Sequence, residues 1–309
     1  MLRIIVGLVL AVVFGLLCSF ARASEIPIEA PVVGGSRVPE GKWRDVVVVI
    51  ARDAVCTGTL IASDIVLTAG HCVEAGPIEV LTDTVDYGKL GGDRIKVKWS
   101  RAYPEWHRRY DIGVIMLDHV ARGRPRKIAA ACTARKGLVA GALVHVVGFG
   151  LATSGGDDHN TAMREADVPI IDPTCTMDSA CEPSVAPHGE FMAGGRGADT
   201  CFGDSGGPVY LDTSEGPALV GVVSRGLALP TAPCGNGGVY VRADKVVAWI
   251  QSVTGTRIAR TSCPGRADGD DVEPAEDEGG CVAGPGGGLG VGIAAIVLRR
   301  RRRSRVASS

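Results

Sequence analysis

Gly203-Asp204-Ser205-Gly206-Gly207-Pro208 is the stretch on which the reading of this chain turns. A serine hydroxyl is a weak nucleophile unless a turn exposes it beside a base, with backbone N–H groups ready for a developing oxyanion. Glycines on both sides of Ser205 permit such a turn, because they adopt positive φ and let another chain approach the backbone. A Gly/Ser/Asp cluster alone more often marks an ordinary tight turn. What lies upstream decides.

Upstream, Leu67-Thr68-Ala69-Gly70-His71-Cys72 follows the strand-like run Asp64-Ile65-Val66, and Asp111 opens a second apolar run, Ile112-Gly113-Val114-Ile115-Met116-Leu117. With these motifs in this order the chain resembles the trypsin/chymotrypsin-like serine proteases. That family reads T-A-A-H-C, then D-I-A-L-L, then G-D-S-G-G-P, at similar separations. The resemblance runs from Val32 to about Ile258. It implies an all-β fold of two packed six-stranded Greek-key β-barrels with a C-terminal helix. It also implies a secreted serine endopeptidase acting on protein or peptide substrates.

The resemblance assigns roles residue by residue. His71 becomes the general base, since an imidazole can take the Ser205 proton near neutral pH and return it to the leaving amine. Asp111 would accept a hydrogen bond from the other ring nitrogen, and Ser224 matches the position that helps hold that aspartate. The N–H groups of Gly203 and Ser205 would form the oxyanion hole. Val32-Val33-Gly34-Gly35 matches the family's I-V-G-G start, so a freed Val32 amine would pair with Asp204 on activation. Pro31 stands where many members have Arg, which leaves the activating protease open. Asp199, six residues before Ser205, matches the base of the primary pocket, where a carboxylate selects Arg or Lys; an exposed loop aspartate is the competing reading. Gly226 and Gly238 match the small wall positions. Arg225 replaces the usual aromatic, and its cation would repel basic substrates or pair with Asp199. The remaining histidines, His107, His119, His145, His159 and His188, read as surface or hydrogen-bonded structural residues.

Length and composition set the frame. The chain has 309 residues, 46% of them hydrophobic and 5% aromatic, and a net charge of −1, which argues against nucleic acid as its main partner. Short Val/Ile/Leu/Thr runs punctuated by Gly, Pro and Asp, such as Val46–Ile50, Ile65–Thr68, Ile95–Trp99, Val114–Leu117, Ala142–Val147, Ala218–Val223 and Gly238–Val241, read as an all-β barrel or sandwich. One helix is expected from Asp244, as cap, to Val253. The basic run Arg122, Arg124, Arg126 and Lys127 reads as a solvated connector between barrels, or as a self-cleavage site.

Residues 1–23 read as a signal peptide: Arg3, an apolar segment from Ile4 to Leu17, and an Ala21-Arg22-Ala23 cleavage site. An uncleaved anchor is the alternative. Residues 24–31 form a short propeptide and 32–259 the protease domain. Residues 260–280 read as an acidic disordered linker. Residues 281–309 combine Cys281, a Gly-rich apolar run and Arg299 to Arg303. This tail resembles the C-terminal sorting signals of myxobacterial exported proteins, in which a sorting protease processes the chain near the cysteine; a plain membrane anchor is the alternative. The expected product is a secreted or envelope-associated monomer, touching a membrane only through its tail.

Export makes disulfides the default use of the cysteines. The resemblance pairs Cys56 with Cys72 and Cys201 with Cys234. It leaves Cys175 with Cys181 and Cys132 with Cys263 if Cys281 has another fate, and the sequence alone does not fix this connectivity. Val144 and Leu211 stand where many members carry a further bridge. No cofactor is called for, and no His/Cys/Asp spacing suggests a metal site. The rival to an enzyme is a catalytically idle binding module tethered by its tail. Such proteins usually lack a member of the triad, and here all three residues are present.

Overall fold

The computed structural model describes residues 32–153, 155, 159–227 and 232–263. The expected signal peptide, the propeptide, the tail and the linker from 264 onward lie outside the described residues. A two-residue strand, β1 (Ser36–Arg37), comes first. Next are β2 (Val46–Ala51), β3 (Val55–Ala62) and β4 (Ile65–Thr68), whose β-branched side chains suit a pleated, buried surface. Helix α1 (Gly70–Glu74) separates these from β5 (Pro77–Thr82), β6 (Asp93–Ala102) and β7 (Gly113–Leu117). The antiparallel order β2-β3-β4-β7-β6-β5 closes on itself, so no strand edge is left open.

After α2 (Ala131–Gly137) come β8 (Leu143–Gly148), β9 (Arg164–Asp172), β10 (Glu190–Ala193), β11 (Pro208–Leu211), β12 (Ala218–Gly226) and β13 (Gly238–Arg242). Their order β9-β10-β13-β12-β11-β8 is closed by the β8–β9 pairing, and β1 adds to the outside of β9. The fold is therefore two six-stranded antiparallel barrels. One apolar cluster spans both, joining Val46, Val48, Ile65 and Leu67 of the first to Val147, Tyr210, Val222 and Val241 of the second. Val144 and Leu211 belong to the second barrel's own cluster, filling with hydrocarbon the site of the absent bridge.

Several expectations need correction. Asp244 does not cap a helix: Ala243–Val246 is a 3-10 turn, α3 proper runs Val247–Thr254, and the Asp244 carboxylate takes the Arg242 guanidinium in a two-bond fork at 3.0 and 2.6 Å. Intramolecular charge pairing outcompetes the backbone amides for that carboxylate. Further helical segments, α1, α2 and a 3-10 turn at Trp106–Arg108, also escape a periodicity search because each is a turn or two long. Beyond Ile258 the chain stays bonded to the second barrel through residue 263: Thr261 N–H donates to the Ile128 carbonyl at 3.0 Å, and Cys263 is bonded to Cys132.

The basic connector is not uniformly solvated either. Arg126 donates to both oxygens of Asp45 at 2.9 and 2.6 Å and to the Pro217 carbonyl at 3.1 Å. Its guanidinium also lies against the rings of Trp43 and Tyr210, which stack 4.6 Å apart, and the Tyr210 hydroxyl donates to Asp45. Burial alone would lower the Arg126 pKa, yet the Asp45 carboxylate outweighs it and raises the value. Asp45 comes from the first barrel's side, Tyr210 from the second, so this group rivets them together. Removing one partner of a buried pair strands the other charge. Arg126→Met is expected to cost about 3–5 kcal/mol in urea unfolding, and adding Asp45→Asn should recover much of that loss.

Candidate active site

Three segments meet where the barrels touch. Thr68 ends β4 and α1 carries His71, while Asp111 precedes β7, the strand paired with β4. That pairing brings the 71 and 111 positions together. His71 Nδ1 lies 2.8 Å from Asp111 Oδ2, and the His71 backbone N–H donates to Asp111 Oδ1 at 3.0 Å. A carboxylate can only accept, so Nδ1 carries a proton, and in the neutral imidazole Nε2 keeps the lone pair. Ser224 Oγ donates to the same Oδ2 at 2.7 Å. Burial pushes the Asp111 carboxyl up, but the hydrogen bonds and charge from His71 and the Ser224 hydroxyl prevail and hold it below its ordinary value. The imidazole is about one-third exposed, with Trp106 beside it at 6.2 Å between ring centres.

Ser205 sits on the turn into β11. Its carbonyl accepts from the Thr57 N–H at 2.9 Å, and the Cys72 sulfur, bonded to Cys56, lies 3.6 Å from that oxygen. The Thr57 hydroxyl donates to the Gly203 carbonyl at 2.8 Å and accepts from the Phe149 N–H at 3.1 Å. Glycine is required twice here. Gly203 has φ +97°, and a Cβ at Gly206 (φ +81°) would come within 2.0 Å of the Thr68 hydroxyl. Among the described residues, neither the Gly203 nor the Ser205 N–H is taken up by a hydrogen bond. Between them, the fully buried Asp204 accepts from Gly150 N–H at 2.8 Å and Cys201 N–H at 2.9 Å. Val32 is buried in the second barrel's cluster, and the Val33 carbonyl accepts from the Asp199 N–H at 2.9 Å.

Asp199 is not an exposed loop residue. It is 1% exposed and accepts from the N–H groups of Thr200, Gly237 and Gly235 at 2.7, 3.0 and 3.3 Å. Burial still dominates and pushes its pKa from 3.8 up to about 6. Gly226 and Gly238 are cross-strand partners on β12 and β13. Cys201–Cys234 closes the segment behind Asp199, and Cys175–Cys181 ties the loop between β9 and β10. Arg225 does not pair with Asp199. Its guanidinium forks onto Glu190 instead, at 2.9 and 2.7 Å, because that buried carboxylate is reachable across the β12–β13–β10 sheet. Cys56, His71 and Cys72 cluster closely, but the two sulfurs are joined to each other and offer a metal no thiolate.

Sequence reasoning missed Thr57, Glu190 and Tyr240, whose hydroxyl reaches Asp199 at 3.4 Å. Thr57 and Glu190 are ordinary strand residues with no local signal. Tyr240, two positions after Gly238 on the same face of β13, could have been found by strand alternation.

Similarity to known proteins gives the family. The family model described as Trypsin matches residues 32–250. Human serine protease 56 is 32% identical over 236 residues, which are 71% of this chain and 38% of that protein. The Blomia tropicalis trypsin Blo t 3 is 28% identical over 75% of this chain and 89% of its own length. Pig coagulation factor XII is 28% identical over 64% of this chain, which spans only 36% of that protein. The match over most of the chain, on a two-barrel fold, means that the protein belongs to the trypsin family of serine-type endopeptidases.

Proposed function

We propose that the protein is an exported serine endopeptidase working through His71, Asp111 and Ser205, with preference for Arg or Lys on the acyl side of the cleaved bond. One observation carries the reading: a buried carboxylate, Asp111, takes both the His71 Nδ1 proton and the Ser224 hydroxyl, leaving Nε2 as the free base. In the reaction Ser205 Oγ attacks the substrate carbonyl while its proton passes to His71 Nε2. The Gly203 and Ser205 N–H groups receive the oxyanion. The imidazolium, steadied by Asp111, then protonates the leaving amine, and an acyl-enzyme remains. Water enters by the same route in reverse, releasing the acid and restoring Ser205.

Asp199 supports the substrate preference. A long cationic side chain passing between Gly226 and Gly238 would meet a carboxylate whose ionisation burial has made costly, so the cation's arrival relieves that cost. Val32 and Asp204, both buried, support an activation step in which an activating protease cleaves after Pro31 and the freed Val32 amine pairs with the Asp204 carboxylate. Four disulfides suit an oxidising compartment, hence a secreted or envelope-associated protein. The tail at 281–309 would be the substrate of a sorting protease.

Three outcomes test this reading. A fluorophosphonate probe should label the parent and not Ser205→Ala; equal labelling of both would sink the triad. The ratio of kcat/KM for a P1-Arg peptide over its P1-Phe analogue should climb roughly tenfold per pH unit up to about 6 and then flatten, as Asp199 ionises. The same raised pKa means that this group's contribution to stability is full below about 3.8 and is lost as pH rises through about 6. Finally, mass spectrometry of the exported protein should find Val32 at the amino terminus and a carboxyl terminus near Cys281.

A further inference from the structure

Ser224 receives as well as gives. Its Oγ donates to Asp111 Oδ2 at 2.7 Å and accepts from Arg225 Nη1 at 2.9 Å. The same guanidinium is fixed by three more bonds, to Glu190 Oε1 at 2.9 Å, Glu190 Oε2 at 2.7 Å and the Ala180 carbonyl at 2.7 Å. Glu190 is 1% exposed, and its Oε2 also accepts the Glu182 N–H at 2.8 Å. A planar fork on a buried carboxylate has little freedom, so the N–H aimed at Ser224 is held in direction.

A hydroxyl has one proton, and a guanidinium has donors only. With Arg225 occupying a lone pair of Ser224 Oγ, the hydroxyl proton has nowhere favourable to point except Asp111. We propose that Arg225 is a positioning residue for the triad, directing and strengthening the Ser224 hydrogen bond to Asp111, with Glu190 fixing the guanidinium's aim and balancing its charge. The inference rests on the reading of His71, Asp111 and Ser205 given above, and adds a residue where that reading expected an aromatic wall.

The direction of the effect follows from the chain of donors. A hydroxyl that accepts from a cation becomes a better donor. It therefore draws charge from Asp111, which then holds the protonated imidazole less tightly. Without Arg225 the proton stays on the base to higher pH. Without Glu190, an uncompensated cation acts more strongly in the opposite sense. The charged and titratable groups along the path are His71, Asp111, Arg225 and Glu190, while Glu182 turns its own carboxylate to the Ser184 N–H at 3.0 Å.

The test is the rate of Ser205 phosphonylation by a fluorophosphonate as a function of pH, on protein made from the full chain. Arg225→Gln should move the acid limb of the profile up by about half a pH unit, and Glu190→Gln should move it down. Arg225→Lys, which keeps a cationic donor, should fall between the parent and Arg225→Gln. Should Arg225→Gln fail to fold with Glu190 stranded, the double variant Arg225→Gln/Glu190→Gln carries no unpaired charge and should again show the raised limb. Limbs that coincide with the parent's, or that move the same way in both single variants, overturn the proposal. A parent that no probe labels at any pH sinks the triad itself, and this inference with it; a parent that labels normally while the variants leave the limb in place sinks the inference alone.

Discussion

Thr57 holds the site together. From the middle of β3 in the first barrel, it gives its N–H to the Ser205 carbonyl, its hydroxyl to the Gly203 carbonyl and its own carbonyl to the Thr68 hydroxyl. Those three bonds fix the 203–206 turn against the end of β4, three residues before His71. A turn rich in glycine loses much backbone entropy on ordering, and here that loss is offset by bonds supplied from another barrel. The approach is close enough to exclude a side chain at Gly206. Ser205 and His71, the proposed nucleophile and base, thus sit on segments that contact between barrels holds in place, not either barrel alone.

Around that seam, buried charge is consistently paired or hydrogen-bonded. Asp45 is matched by Arg126, Asp111 by His71 and Ser224, Glu190 by Arg225, and Asp204 by two backbone amides. Among the described residues Asp199 is held by amide and hydroxyl donors and by no cation. Its pKa is raised because burial at this position outweighs the hydrogen bonds it accepts. An anion stored at such a cost is suited to a ligand that brings the missing positive charge.

Much of this was legible in the chain itself, for a reason that varies by residue. Turn chemistry announces Gly203 and Gly206, because few residues other than glycine tolerate their backbone angles. His71 and Asp111 sit next to apolar runs that become β4 and β7, so their proximity follows once the two strands pair. Arg126 was misread because a charge in a basic run looks solvated until Asp45, 81 residues earlier, and the stacked Trp43 and Tyr210 rings close around it. The pairing of Arg225 with Asp199 fails for the same cause: its partner, Glu190, is 35 residues away and joins it only through the sheet order β12-β13-β10.

By itself, then, the sequence determined the all-β class, several of the strands and the candidate residues for the chemistry, since side-chain type, periodicity and turn propensity are local quantities. Tertiary structure alone decided which carboxylate each cation meets, which amides stay unclaimed at the 203–205 turn, and how deeply Asp199 is buried. Those are properties of contacts between segments distant along the chain, and burial and pairing energies exist only once the two barrels have closed and packed against each other.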